Sequence, residues 1–181
     1  MPKDVMVRQC APTLAGIKTG SLFPYRYASE SLFIADVRDF NKSFAPKGLR
    51  LIPLRYGNGN ALLYLYRPER LKNDLHDAVA DEVLSREGYD SDSASGCIVR
   101  LMKKLRQDTE FPHEIGLFLS YPPEDVKGFI ENHAANYKLS GLWKVYGDEE
   151  KAKKTFEKFK SCTRDYLKRA EAGAELEELT V

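Results

Sequence analysis

The chain has 181 residues, 43% hydrophobic and 30% charged, and its 28 Lys and Arg against 27 Asp and Glu leave a net charge of +1. A near-neutral surface has no global field to draw it to nucleic acid or anionic lipid, which disfavours a nucleic-acid role. No run approaches the roughly 18 apolar residues of a membrane span, and a chain of this length buries about 70% of its unfolded surface without help from disulfides or metals.

Residues 1–16 carry Lys3, Asp4 and Arg8 with no long apolar run behind them, so no signal peptide is expected. Pro12 suits the first position of a helix, where its missing N–H costs nothing. A short helix is therefore predicted from Cys10-Ala11-Pro12-Thr13, broken near Gly20 and ended by Pro24. Phe33, Val37, Phe40 and Phe44 form one stripe and predict a helix over 29–44, stopped by Pro46 and Gly48. Residues 49–56 and 61–67 read as strands of a hairpin turning at Asn58-Gly59, with Pro53 placing its strand at an edge or a bulge. Pro68 opens a long helix that Gly88 caps, and another helix is predicted over 95–107.

The last third reads as strand 115–120, a helix from Pro122-Pro123, strand 142–146, and a long helix after Asp148. Two strands joined by a crossover helix imply a parallel pair. The expected fold class is α+β: one domain over 1–172, with a mixed sheet of about four strands (the 49–67 hairpin plus the parallel strands 115–120 and 142–146) covered by helices. Residues 173–181 are expected to be an acidic, frayed tail.

Four segments resemble a family of bacterial proteins, mostly from anaerobic Gram-positive organisms, catalogued as a domain of unknown function. They are residues 10–18 (Cys-Ala-Pro-Thr-Leu-Ala-Gly-Ile-Lys), 111–116 (Phe-Pro-His-Glu-Ile-Gly), 119–126 (Leu-Ser-Tyr-Pro-Pro-Glu-Asp-Val) and 141–146 (Gly-Leu-Trp-Lys-Val-Tyr). Cys162-Thr163 fits the resemblance as well. The chain departs from it in carrying Gln9 where His is expected before the cysteine, and Leu139 where Cys is expected. The resemblance implies no activity.

Three widely spaced cysteines without a Cys-x-x-Cys pair argue against a disulfide framework or zinc ribbon and point to a reducing cytoplasm. Placed just ahead of a helix N-terminus, Cys10 would feel the positive end of the dipole and favour thiolate, with Thr13 and Lys18 adding oxyanion or phosphate contacts. The plain alternative is a small buried residue. Cys162 lies on the apolar face of the last helix, where free cysteines are usually core, and Cys97 reads as packing. His113 beside Glu114 could serve as an acid–base pair or as metal ligands, although consecutive strand residues point to opposite faces. Tyr121 and Asp125 sit between a strand end and a helix start, where ligands collect in parallel sheets, or else simply make a rigid turn. Lys144 and Tyr146 share the wetter face of their strand, opposite Trp143 and Val145.

The candidate catalytic residues are thus Cys10, His113 and Cys162. The candidate ligand-binding residues are Thr13, Lys18, Tyr121, Asp125, Lys144 and Tyr146, with no metal set. Two functions compete: a small-molecule enzyme or sensor using a thiol at a helix N-terminus, and a non-catalytic protein-binding module. Whether the protein is an enzyme, its cofactor, and whether its partner is a small molecule or a protein all stay open; a membrane partner is not expected.

Overall fold

The computed structural model describes residues 1–107 and 110–181. In chain order the elements are α1 (Lys3–Leu14), β1 (Gly20–Arg26), α2 (Glu30–Phe44), β2 (Arg50–Gly57), β3 (Asn60–Tyr66), α3 (Pro68–Leu75), α4 (Ala78–Arg86), α5 (Ala94–Gln107), a 3-10 segment His113–Leu119, α6 (Pro123–Glu131), β4 (Leu139–Ser140), β5 (Lys144–Val145) and α7 (Glu149–Glu171). They divide into two compact units, residues 1–69 with 159–181, and residues 70–158.

The first unit holds a three-stranded antiparallel sheet in the order β1-β3-β2. The expected hairpin forms, with Gly57 opposite Asn60. Asn58 and Gly59 both take positive φ, 51° and 76°, the backbone that a two-residue hairpin turn of matching twist requires. Pro53 sits on edge strand β2, where the register shifts between Pro53 and Arg55, so its missing donor breaks no central ladder. Helices α1 and α2 pack on this sheet and close a core that includes Met6, Cys10, Phe23, Phe33, Leu51 and Leu65.

The helix predicted to start at Cys10 instead ends there. α1 begins at Lys3, and Met6, Val7, Cys10, Ala11 and Leu14 are its buried stripe. Gly16, at φ 70°, donates to the Thr13 carbonyl at 3.2 Å, and Ile17 donates to the Pro12 carbonyl at 3.0 Å. That pair of bonds around a left-handed glycine is the Schellman termination of a helix. Pro12 falls in the final turn, and the chain continues not as more helix but as β1, with Pro24 on the sheet edge opposite Leu62.

The segment after Gly173, expected to fray, is docked. Leu179 is 0% exposed, Lys47 Nζ donates to the carbonyls of Glu177 (2.8 Å) and Thr180 (2.9 Å), and the Val181 amide donates to Leu14. An acidic composition hid two apolar anchors, Leu176 and Leu179.

In the second unit the helix from Pro68 is two helices. Asp77 interrupts it and caps α4, its Oδ1 accepting from the amides of Val79 (2.9 Å) and Ala80 (3.2 Å). The expected parallel strands do not exist. Residues 113–119 form a 3-10 segment in which Glu114 to Leu119 are all buried, and an apolar run enclosed on every side has no period to separate strand from helix. Of 142–146 only Lys144 and Val145 pair, antiparallel to Leu139 and Ser140. The sheet is therefore a two-residue ribbon, not part of a four-stranded mixed sheet. No helix among the described residues is long and apolar enough to cross a membrane.

Candidate functional site

The first unit gathers Cys10, Thr13 and Lys18 around the end of α1. Cys10 and Thr13 are 0% exposed, and the Thr13 hydroxyl meets the Ser21 hydroxyl at 2.9 Å. Ser21 also hydrogen-bonds the Cys10 thiol. Arg67 donates from Nε to the Thr13 carbonyl and from Nη2 to that of Leu14, both at 2.8 Å, tying down carbonyls that the helix end leaves free. Burial pushes the Cys10 thiol well above the ordinary cysteine range, and the nearby Lys18 charge and Ser21 only partly offset it. Burial likewise pushes the Lys18 ammonium down, and its Nζ lies 5.8 Å from the Phe159 ring centre. The thiolate argument is therefore reversed: Cys10 lies near the negative end of the helix dipole, in a dry site, and is a protonated thiol at neutral pH. Cys162 is half-buried against the same core. Cys97, in the second unit, donates to the Asp90 carbonyl at 3.2 Å, and burial followed by the Asp90 charge pushes it up to about 11.

The shared-rim geometry expected for Cys162 and His113 required parallel strands at 115–120 and 142–146. With those absent, the two residues belong to different compact units.

In the second unit Tyr121, Asp125, Lys144 and Tyr146 do come together, but as a closed bracket. Asp125 is buried and accepts from Trp143 Nε1 (2.7 Å) on Oδ2 and from the amides of Tyr146 and Gly147 (both 2.8 Å) on Oδ1. Tyr121 stacks on Trp143 at 4.9 Å, and Phe156 meets the other side of the indole edge-on at 4.5 Å. Gly141 lies under Phe156, where an added Cβ would stand 2.1 Å from a ring carbon. Lys144 Nζ and the Tyr146 hydroxyl each donate at 2.8 Å, to the carbonyls of Ala134 and Ala135, and so pin a loop in which His133, Ala134 and Asn136 all have positive φ. These side chains hold the chain in place and offer a ligand little that is free.

A cavity of about 510 Å³ lies elsewhere in the same unit, lined by Glu87, Lys104, Gln107, Glu110, His113 and Glu114 together with Phe111, Pro112 and Ile130. Its size falls within the usual range for small-molecule sites. α5 presents Lys104, the turn after α4 presents Glu87, and the 3-10 segment presents His113 and Glu114. Glu114 is 2% exposed, and its Oε1 accepts from the Tyr89 hydroxyl (2.8 Å) and from Lys104 Nζ (2.6 Å). Lys104 also reaches Glu87 Oε2 at 2.8 Å. Among the described residues no hydrogen bond reaches Glu114 Oε2. Burial pulls the Lys104 ammonium down, but its bonds to Glu114 and Glu87 outweigh that and hold it above the ordinary lysine range. Burial, and then the Glu114 charge, push the Tyr89 phenol far up, so it stays a donor. Exposed His113 stands edge-on to Phe129 at 5.0 Å, its side chain diverging from that of buried Glu114. No group of three His, Cys, Asp or Glu is placed to hold a metal among the described residues.

A family model described as "Protein of unknown function (DUF3793)" matches residues 6–180. The chain belongs to that family. No curated protein and no solved structure matches it. In this DUF3793 protein the Cys10–Lys18 segment is a helix termination, and the segments 119–126 and 141–146 are the two halves of the Asp125 bracket. Segment 111–116 contributes to the cavity of about 510 Å³. Sequence reasoning picked out His113 there but passed over Lys104, Glu87 and Tyr89. The pairs that join these residues to one another and to Glu114 are separated by 10, 17 and 25 positions, so no helical or strand period links them.

Proposed function

We propose that this protein binds a small molecule in the cavity beside Glu114 and His113, acting as a sensor or as the binding component of an enzyme, without thiol chemistry. One observation carries the reading: a cavity of about 510 Å³ is lined by exposed His113 together with the ion-paired set of Lys104, Glu87 and Glu114. His113 stands exposed in the same lining and supplies a ring nitrogen to a bound group. The end of α1 is the weaker candidate, because Cys10 and Thr13 are fully buried and the Thr13 hydroxyl is already bonded to Ser21. Three free cysteines, two of them buried, fit a reducing compartment, and the cytoplasm is the location we propose.

A fragment screen read by ¹H–¹⁵N correlation spectra tests the site. Hits are expected to move the amides of residues 104–107, 111, 113 and 114, and to weaken several-fold in Phe111→Ala. Phe111 is 45% exposed, so truncating it leaves folding intact. Hits that map elsewhere, or that are indifferent to Phe111→Ala, would remove the cavity as the ligand site.

A further inference from the structure

We propose that Lys18 is a covalent site, an amine that captures a small aldehyde as an imine. Lys18 belongs to the first compact unit and the cavity lining to the second, so the two readings stand or fall separately. Lys3, Lys104, Lys127 and Lys144 are, like Lys18, half-buried. Each of them gives its ammonium a partner: Lys3 the Ala174 carbonyl and Glu175, Lys104 Glu87 and Glu114, Lys127 Glu82, and Lys144 the Ala134 carbonyl. Among the described residues no carboxylate or carbonyl accepts from the Lys18 Nζ. Its neighbours are the Phe159 ring, whose centre lies 5.8 Å away, and the Cys10 thiol. That thiol is fully buried and protonated, so it supplies no counter-charge. The Thr13 and Ser21 hydroxyls hold each other, which leaves Lys18 outside their closed set.

A lysine stem laid over apolar surface with its head in bulk water would be ordinary packing. Two observations separate Lys18 from that case. Burial pulls its ammonium below the ordinary lysine range, so the head does not sit in bulk water. The nitrogen is nevertheless not sealed: among the described residues the one buried side-chain N or O without a partner is the Tyr27 hydroxyl, so the unpartnered Lys18 Nζ keeps an opening to solvent. An amine that is desolvated, without a counter-charge and reachable is neutral more of the time, and the neutral amine is the nucleophile. Its lone pair attacks the aldehyde carbon and forms the C–N bond as the carbonyl π pair moves to oxygen. The nitrogen gives up a proton and the oxygen takes one, leaving a carbinolamine. Loss of that hydroxyl with the second nitrogen proton releases one water and leaves C=N, with no oxidant or reductant involved. The Phe159 ring supplies an apolar wall for the aldehyde's substituent.

The test is to treat the full chain with benzaldehyde and cyanoborohydride at neutral pH, the hydride reducing any imine to a stable secondary amine. Peptide mass spectrometry then gives the rate at each lysine. Lys18 is expected to react at least about tenfold faster than the exposed Lys160 and Lys168, because more of it is neutral. Its rate is expected to saturate with benzaldehyde, and its lead to narrow as pH rises toward the ordinary lysine range. Lys18→Arg keeps the cation but removes the nucleophile, and should leave only the slow labelling of surface lysines. Should that variant fail to fold, the wild-type map decides alone. Labelling of Lys18 no faster than Lys160 and Lys168 would overturn the proposal. A lead that rises linearly with benzaldehyde and never saturates would overturn it too, since that is a reactive amine without a binding site. Either failure leaves fragment binding at the cavity standing.

Discussion

The Cys10 cluster and the Glu114 cavity both set polar groups inside apolar surroundings, yet they end in opposite states. At Cys10 the polar atoms are used up internally: Thr13 on Ser21, Ser21 on the thiol, and Arg67 on the helix-end carbonyls. At Glu114 the carboxylate is bonded by Tyr89 and ion-paired with Lys104, and the residue lines a cavity large enough for a small molecule. A distinctive run of residues is thus no sign of chemistry when its polar groups close on themselves. Polar and charged groups that line open space are the better pointer.

The largest expected effect falls on a third region, the Asp125 bracket, which shows what a fully closed polar set contributes to stability. Asp125→Ala strands three donors, the Trp143 indole and the amides of Tyr146 and Gly147. Urea unfolding is expected to show a loss of about 3 kcal/mol or more. A loss under about 1 kcal/mol would mean that water replaces the carboxylate and the bracket is not closed. Gly141→Ala comes next, because its Cβ would drive Phe156 off the Trp143 edge. A cost of about 1–3 kcal/mol is expected, and Gly141→Ala unfolding at the wild-type urea midpoint would refute the contact.

The cavity wall carries a pH signature. Tyr89 has its folded pKa raised above its ordinary value of 10.0, by burial first and the Glu114 charge second. Below that value both states keep the proton and its stabilisation is complete. Above it the unfolded chain gives up the proton while the folded one holds it, so each pH unit removes about 1.4 kcal/mol. Wild type is expected to lose stability between pH 10 and 11 more steeply than Tyr89→Phe, and parallel slopes would show that the phenol is not enclosed. The smallest effect on stability belongs to Cys10. Cys10→Ala is expected to cost about 1 kcal/mol. In the native protein iodoacetamide should modify Cys10 at least about a hundredfold more slowly than in urea, since the thiol must first be uncovered. Native labelling of Cys10 at the unfolded rate would restore the reactive-thiol reading.

Elements with a clear period or turn signal were legible in the sequence. α2 follows from the Phe33, Val37, Phe40 and Phe44 stripe, and the hairpin follows from Asn58-Gly59 and the edge position of Pro53. What was misread had signals with two physical meanings. Pro12 suits a helix's first turn and is also tolerated in its last, and only the buried stripe running back to Met6 decides between them. Residues 114–119 are buried all round, so their apolar run carries no face. At the site, His113 was visible as a rare titratable residue. The Lys104, Glu87, Glu114 and Tyr89 set was not, because tertiary folding assembles it from separate segments.

One titration sets the two regions against each other most directly: a hit from the fragment screen into wild type, Cys10→Ala and Phe111→Ala, followed through the amide spectrum of each. If binding resides in the cavity, Cys10→Ala keeps the wild-type Kd and the same shifted amides at 104–107, 111, 113 and 114, while Phe111→Ala binds several-fold more weakly. The opposite pattern, with affinity lost in Cys10→Ala, kept in Phe111→Ala and shifts centred on residues 10–21, would place the site at the end of α1 and contradict the cavity assignment.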